Sequence, residues 1–302
     1  MTELAKESFK GLRGELRFDE PMVTHTTWRV GGLAERYYIP ADLEDLSQFL
    51  QQLPANEPLF WLGLGSNILV RDGGIRGTVI AYFGGLNQIE HLGSGLVQAG
   101  AGLASAKIAR FSAKQGLVGA EFLSGIPGAL GGALAMNAGA FGGETWELVR
   151  KVAVIRRDGS IIERTPDEYQ ISYRTVVAPE ADEWFVGAWL QLKEGNSEEA
   201  MQRIRTLLEH RANTQPTQQP NAGSVFRNPP GDYAARLIEA CGLKGHSVGG
   251  AVVSEKHANF IVNSGDATAS DIEQLIAEVA MTVKQKQGIE LIREVQVVGV
   301  AK

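Results

Sequence analysis

Apolar residues recur every three or four positions in five stretches of the chain, a spacing that places their side chains on one face of a helix. Asp42 precedes the first stretch as a typical N-cap, and Asn196 and Glu199 resemble a capping pair at another helix start. The pattern predicts helices over residues 43–53, 104–115, 196–211, 233–241 and 270–287. Glycine, which readily ends a helix, follows three of them: Gly116, Gly242 and Gly288.

Shorter apolar runs, several of them bounded by glycine or proline, predict strands. The pair Asp158-Gly159 separates two such runs and is a strong signal for a hairpin turn. The predicted strands cover residues 33–40, 59–63, 78–82, 96–101, 151–157, 160–164, 184–193, 257–262 and 290–300, with a further strand-like piece at Val70. This mixture of elements predicts an α+β fold.

Regular patterning breaks between Asn213 and Pro220, where two prolines and four polar amide side chains mark a connection or a domain boundary. We therefore expect three parts. The first covers residues 1–82 and is joined by the final strand over 290–302. The second covers residues 83–213, and a C-terminal α+β domain covers residues 214–289.

The composition is that of an ordinary soluble protein, with 44% hydrophobic and 21% charged residues in a chain of 302. Residues 1–20 lack a continuous apolar core, so no secretory signal is expected. Cys241 is the only cysteine, which excludes an intrachain disulfide and cysteine-based metal sites, and favours the cytoplasm. The net charge of −6 argues against general nucleic-acid binding.

Two glycine-rich segments are the candidate ligand-binding elements. Residues 122–143 contain seven glycines and no charged residue, and a shorter loop runs from Gly63 to Val70. Glycine leaves main-chain N–H groups accessible to phosphates, so two such loops suggest a bound dinucleotide. The Rossmann fingerprint G-x-G-x-x-G is absent, so the cradle must differ from that fold. A membrane span or a small-residue helix contact through Gly128 and Gly132 is the alternative interpretation of the long segment.

Three polar residues are candidates for chemistry. Ser224 follows glycine and precedes an Arg-Asn-Pro turn, which does not match a hydrolase elbow; its hydroxyl is either a turn cap or a proton donor to a substrate carbon. Arg174, next to Tyr173, suits a bidentate carboxylate contact, although a surface ion pair is the alternative. Glu294 lies on the otherwise apolar final strand, in a catalytic position or on a solvated face.

Together these segments resemble the UDP-N-acetylenolpyruvoylglucosamine reductase (MurB) family of peptidoglycan synthesis. The matching motifs follow the family order over nearly the whole chain: residues 26–32 (TTWRVGG), 63–70 (GLGSNILV), 124–132 (SGIPGALGG), 137–139 (NAG), 173–174 (YR), 223–229 (GSVFRNP), 257–263 (HANFIVN) and 294–295 (EV). Any one of them is weak, whereas eight in order are specific.

The resemblance implies non-covalent FAD in two N-terminal units with the FAD-binding fold of vanillyl-alcohol-type oxidases, and a C-terminal substrate domain. In the first loop, it assigns to the cofactor Gly63, Gly65, Ser66, Asn67 and Ile68. In the second, it assigns Ser124, Gly125, Ile126, Pro127, Gly128, Gly131, Gly132, Asn137 and Gly139.

The resemblance also implies that NADPH reduces FAD and that UDP-N-acetylglucosamine enolpyruvate is then reduced, with hydride added at C3 and a proton at C2. By position, Ser224 matches the proton donor. Arg174 and Glu294 match the residues that polarise the substrate carboxylate and stabilise the enol-like intermediate. The residues matching substrate contacts are Tyr173, Arg211, Arg227 and Asn228. A monomer without a metal, membrane or nucleic-acid partner is expected.

The chain resembles the shorter of two family subtypes, because no tyrosine-loop insertion is seen between Tyr173 and the helix near Asn196. Phe141 stands where tyrosine is common in the family, so a hydroxyl contact is missing here. Two alternatives remain. One is a flavin oxidase of the same fold, in which His25 could tether the flavin; the other is a nonenzymatic FAD-binding module.

Overall fold

The structure is a computed structural model that describes residues 9–302. Residues 1–8, part of the stretch considered for a secretory signal, lie outside the described residues. The chain forms two compact units. The first contains the chain up to Phe18, Arg36–Gly63 and Gly77–Arg205; the second contains Asp19–Glu35, Leu64–Arg76 and Thr206–Lys302. In the described chain, every helix is too short or too polar to cross a membrane.

The predicted helices are confirmed with small shifts at their ends, because their apolar spacing and their caps coincide. Asp42 accepts the N–H of Asp45, and Gly288 ends the last helix with a φ of 69°. The helices of the described chain are α1 (Leu43–Gln52), α2 (Ser105–Lys114), α3 (Leu130–Ala135), α4 (Ser197–Thr214), α5 (Ala234–Ala240) and α6 (Ala269–Gln287).

The strands are short and numerous, and most of the predicted ones are present. They are β1 (Glu15–Pro21), β2 (Leu33–Ile39), β3 (Leu59–Leu62), β4 (Ile68–Val70), β5 (Ile75–Ala81), β6 (Ile89–His91), β7 (Leu96–Gly100), β8 (Leu117–Val118), β9 (Gly139–Ala140), β10 (Gly143–Glu144), β11 (Val149–Arg156), β12 (Ile161–Arg164), β13 (Gln170–Ser172), β14 (Thr175–Val177), β15 (Glu183–Gln191), β16 (Lys193–Glu194), β17 (Ser247–Val248), β18 (Ala251–Val253), β19 (Ile261–Asn263) and β20 (Gln296–Val298).

Two predicted strands are longer in the sequence pattern than in the structure. Of residues 257–262, only the end belongs to β19, because the Phe260 N–H donates to the His257 carbonyl and closes a turn. Of residues 290–300, only β20 is a strand, since its parallel partner β4 is itself only three residues long. Glu294 therefore lies in the segment before the strand rather than on it.

In the first unit, the largest sheet has five antiparallel strands in the order β12-β11-β15-β7-β6. A second sheet has the order β1-β2-β5-β3, in which β3 and β5 are parallel. The core packs α1 against these strands, with Leu46, Phe49 and Ile80 almost completely buried. The predicted Asp158-Gly159 hairpin is confirmed as the β11–β12 turn.

A buried carboxylate fixes the start of α1 in this unit. Asp45 has no exposed surface, and its oxygens accept the N–H groups of Arg13 and Ala41 and the hydroxyl of Tyr38. Burial alone would raise the pKa of Asp45, but the hydrogen bonds from Tyr38, Arg13 and Ala41 outweigh it and hold that pKa below its usual value. The carboxylate thus joins the segment before β1 to the helix.

We expect Asp45→Asn to destabilise the protein by about 1–3 kcal/mol at pH 7, because an amide replaces a buried charged acceptor. A carboxyl whose pKa is depressed in the folded state stabilises it above the unfolded-state pKa, and that contribution is lost as pH falls. Urea unfolding from pH 7 to pH 3 should therefore show the gap between wild type and variant closing below about pH 4. The exposed Asp182→Asn is the control, and a gap independent of pH would contradict the prediction.

In the second unit, β17, β18 and β19 form an antiparallel sheet covered by α6, and β20 pairs with β4. The core includes Trp28, Leu275 and Val279, and the Trp28 indole donates to the carbonyl of Ile261. Asp72 accepts the N–H groups of Ala269 and Ser270 and thereby satisfies two amides at the start of α6.

Candidate active site

The first glycine loop connects β3 to β4 and carries four consecutive main-chain N–H groups, from Gly63 to Ser66, that donate to no acceptor within residues 9–302. The Gly65 carbonyl accepts from the backbone and hydroxyl of Thr27, which holds the loop in place. Gly65 has a φ of 63°, and a Cβ there would lie 2.0 Å from the carbonyl oxygen of His25. Only glycine fits this position without distortion.

The second glycine loop lies in the first unit and leads into α3. Its start is anchored because Ser124 donates its hydroxyl to the carbonyl of Glu121. The amides of Gly128 and Ala129 donate to no other residue in the described chain. A Cβ built on Gly63 would lie 3.4 Å from the Cβ of Ala129, so Gly63 lies close to the start of α3 within the first unit. Around Gly132, space is open within 4 Å.

These observations test whether the loops fit the predicted cofactor. Successive uncommitted amides favour phosphate oxygens, such as those in the diphosphate of a dinucleotide. The open space at Gly132 admits a ligand against the main chain. The residues present therefore fit FAD. In residues 9–302, no group of three or more His, Cys, Asp or Glu side chains has the arrangement of a metal site.

Ser224 lies in an irregular segment of the second unit that is fixed on both sides. Before it, the Asn221 side chain accepts the N–H of Gly223, which has a φ of 76°. After it, Val225 and Phe226 are buried, with 1% and 2% exposure. Ser224 itself is half-buried. Its backbone is therefore held in place while its hydroxyl stays accessible to a ligand.

The structure brings Glu294 to the Ser224 segment. The Glu294 N–H donates to the Val225 carbonyl at 2.8 Å, and the Arg227 N–H donates to the carbonyl of Ile292 at 2.9 Å. The first glycine loop meets the same place, because the Asn67 side chain donates to the Glu294 carbonyl at 3.3 Å. The predicted proton donor, the predicted acid and one end of the cofactor loop therefore share one neighbourhood of the second unit.

Arg174 belongs to the first unit, at the turn between β13 and β14. Its guanidinium donates to the carbonyl of Gly139, at 3.0 Å, in the second glycine loop, and lies 5.5 Å from the centre of the Tyr173 ring. Arg174, Asn137 and Phe141 all have positive φ values, of 54°, 43° and 52°. Such backbone strain in non-glycine residues persists only where the surroundings impose it, and it concentrates at functional sites.

Asn137 connects the second loop to the Arg174 turn through its side chain. The amide nitrogen donates to the Glu144 carboxylate and to the carbonyl of Ser172, and its oxygen accepts the N–H of Trp146. Asn137 is 1% exposed. Because the side-chain amide is used within the protein, any cofactor contact at this position would come from the backbone.

The three remaining predicted substrate contacts lie in the second unit. Arg211 donates to Gln215, has no carboxylate partner in the described chain, and its burial lowers its pKa. An anionic ligand would offset the cost of that half-buried charge. The Asn228 side chain caps α5 by accepting the N–H of Ala234, whereas Arg227 continues the Ser224 segment.

Comparison with known families defines the class of this protein. Residues 34–165 match the model of an FAD-binding domain, and residues 215–298 match the C-terminal domain of UDP-N-acetylenolpyruvoylglucosamine reductase. The first match defines a flavoprotein. The predicted α+β FAD-binding fold is confirmed. A berberine bridge enzyme variant, 15% identical over 64% of this chain and 43% of that chain, shares only this fold, with a TM-score of 0.50.

Full-length relatives then give the family. The UDP-N-acetylenolpyruvoylglucosamine reductase of Methylococcus capsulatus is 61% identical, covering 96% of this chain and 95% of the relative. That of Nitrosococcus oceani is 60% identical, covering 97% and 98%. The crystal structure of the reductase (MurB) from Thermus caldophilus matches with a TM-score of 0.81 and 34% identity, covering 95% of this chain and all of that one. The chain belongs to the UDP-N-acetylenolpyruvoylglucosamine reductase family.

Proposed function

We propose that this protein is an oxidoreductase that converts UDP-N-acetylglucosamine enolpyruvate to UDP-N-acetylmuramate in peptidoglycan synthesis, with NADPH as reductant and FAD as cofactor. The observation that supports the proposal is the hydrogen bond from the Glu294 N–H to the Val225 carbonyl, which joins the segment of the proposed acid to the segment of the proposed proton donor, Ser224. Membership of the family supplies the substrate class, since relatives at 61% and 60% identity carry the name of this reaction.

The two glycine loops would hold FAD, and the structure adds Leu64 and Ala129 to the residues assigned to it from the sequence. The uncommitted amides from Gly63 to Ser66 and at Gly128 and Ala129 would bind its phosphates. When bound, FAD supplies two-electron transfer from NADPH to the vinyl carbon of the substrate. Asn67 donates to Glu294 and so ties the first loop to the acid–base residues.

Three side chains would act on the substrate itself. Ser224 would donate a proton to the carbon beside the carboxylate and would regain one from solvent. Arg174 would bind that carboxylate with its planar pair of donors, and Glu294 would stabilise the charge that develops there. Tyr173, Arg227 and Asn228 would complete the substrate contacts, and the half-buried guanidinium of Arg211 would bind a phosphate.

We infer that the chain is of the shorter subtype without the tyrosine loop. In support, β14 is followed after a short loop by β15, and β15 leads through β16 to α4, with no additional domain. We also propose the three-part organisation predicted from the sequence, with boundaries near 82 and 213. The match of the C-terminal family domain from residue 215 supports the second boundary.

We further propose that the enzyme acts as a monomer in the cytoplasm, without a membrane or nucleic-acid partner. The single cysteine is buried and unpaired, as is common in a reducing compartment. The net charge of −6 is unfavourable for binding nucleic acid.

The visible spectrum of the purified protein tests the function. We expect a yellow protein that bleaches on anaerobic addition of NADPH and regains its colour when UDP-N-acetylglucosamine enolpyruvate is added. Denaturation and filtration should release the flavin, because the proposed contacts are non-covalent.

Other outcomes would contradict the proposal in distinguishable ways. A protein that takes up no FAD would reject the assignment of both glycine loops. Recovery of colour with dioxygen alone would indicate an oxidase, and retention of flavin after denaturation would direct attention to His25, which pairs with Glu20. Bound FAD without any turnover would indicate a nonenzymatic binding module.

A further inference from the structure

Asn259 is a buried polar residue, 4% exposed, to which no sequence motif assigns a chemical role. It lies in the turn between β18 and β19, and the Phe260 N–H donates to the His257 carbonyl to close that turn. The Ser254 hydroxyl supports the same turn by accepting the N–H groups of Lys256 and His257. These hydrogen bonds therefore hold the backbone at Asn259 independently of the contacts that its side chain makes.

Three hydrogen bonds run from this one residue to the segment that follows Ser224. The Asn259 side-chain oxygen accepts the Phe226 N–H at 3.0 Å, and its amide nitrogen donates to the Phe226 carbonyl at 2.8 Å. The Asn259 carbonyl accepts the Val225 N–H at 2.9 Å. The side chain thus pairs with Phe226 as a neighbouring strand would, in a place where residues 9–302 supply no strand.

The opposite edge of the same segment faces Glu294. The Val225 carbonyl accepts the Glu294 N–H, while the Val225 N–H donates to Asn259. Val225 is therefore held from both sides, by the predicted acid on one and by Asn259 on the other. Loss of the Asn259 side chain would leave the buried N–H and carbonyl of Phe226 without partners, and the segment would shift to satisfy them.

We propose that Asn259 is a positioning residue that sets the place of the Ser224 hydroxyl relative to Glu294. This inference rests on the proposed function, because it concerns the proton transfer assigned to Ser224. Only an amide side chain of this length supplies both contacts, since aspartate of the same shape lacks the donor when ionised and leucine of similar size lacks both groups. Misplacement of a catalytic group by about 1 Å can cost about 100-fold in rate.

Two variants and one matched control test the proposal. Asn259→Leu removes both side-chain hydrogen bonds, and Asn259→Asp keeps the acceptor for the Phe226 N–H but loses the donor. Asn263→Leu is the control: Asn263 is also buried, at 7% exposure, but its side chain bonds Trp28, Gly265 and Ala267 instead of the Ser224 segment. All are compared as FAD-saturated proteins with matched flavin content.

We expect Asn259→Leu to slow the oxidation of the reduced protein by the enolpyruvyl substrate about 10- to 100-fold. Reduction by NADPH should stay within about twofold of wild type, since Asn259 has no assigned part in it. Asn259→Asp should give a smaller loss in the same half-reaction. Hydrogen exchange of the flavin-free protein supplies a readout apart from activity. The amides of Val225 and Phe226 should exchange faster than in wild type in both Asn259 variants. In Asn263→Leu their exchange rates should equal those of wild type.

Equal slowing of both half-reactions, or equal behaviour of Asn259→Leu and Asn263→Leu, would overturn the proposal and indicate a general loss of stability. Ser224→Ala in the same assays separates this failure from that of the proposed function. If Ser224→Ala is slow and Asn259→Leu is not, only the positioning role is wrong. If Ser224→Ala is as fast as wild type, the proton-donor assignment fails and the positioning role fails with it.

Discussion

Ser224→Ala is expected to slow the substrate half-reaction by about 10²–10⁴, the usual contribution of a positioned proton donor. The Ser224 hydroxyl is the proposed source of the proton for the carbon beside the carboxylate. The methyl side chain of alanine has no proton to transfer. Reduction by NADPH, which needs no such proton, should stay close to wild type. Anaerobic stopped-flow absorbance of the flavin measures the two half-reactions separately.

The Ser224 prediction has a matched control in the same unit. Ser247 is an exposed residue in β17 and is not among the proposed substrate contacts. Ser247→Ala removes an identical hydroxyl and should leave both rates unchanged. Binding of substrate to oxidised Ser224→Ala should remain near wild type. A variant that loses both half-reactions to the same degree would argue for a structural role of Ser224 instead.

Arg174→Lys is expected to lower kcat/KM for the enolpyruvyl substrate by about 10²–10³, because lysine keeps the charge but loses the planar pair of donors. The same change removes the fixed geometry of the hydrogen bond to Gly139, so the turn would also be less constrained. If the arginine binds the substrate carboxylate more strongly as charge develops there, the loss should appear mainly in kcat. Steady-state kinetics over a range of substrate concentrations separates kcat from KM.

Arg110 lies on the exposed face of α2, and Arg110→Lys is the control for the same chemical change. It should leave kcat and KM unchanged. An Arg174→Lys enzyme altered only in KM would indicate uniform binding of the substrate rather than stabilisation of charge. A change of less than about twofold in both constants would reject a bidentate contact altogether.

The sequence determined those helices and loops that depend only on residues close together in the chain. Helix α6 follows from apolar spacing, a capping box at Thr268 and a terminal glycine at 288, all within one segment. The two glycine loops were recognisable because glycine exposes main-chain donors whatever surrounds it. The order of the motifs likewise placed the chain in its family, which the comparisons confirmed.

Only the tertiary structure decided which of these segments meet. The segment 290–295 has strand composition, yet it is not a strand, because its neighbour is the irregular Ser224 segment rather than a regular ladder. Likewise, residues 257–260 form a turn whose Asn259 side chain substitutes for a strand partner. Hydrogen bonds between residues more than thirty positions apart leave no periodic signal in the sequence.

The candidate site shows the same division. Residue types and motif order named Ser224, Glu294 and Asn67, but their proximity depends on bonds from Glu294 to Val225 and from Asn67 to Glu294. The link between Arg174 and Gly139 was equally invisible, since it joins residues 35 positions apart. The sequence by itself therefore determined the chemistry available to this protein, and long-range packing decided where that chemistry is assembled.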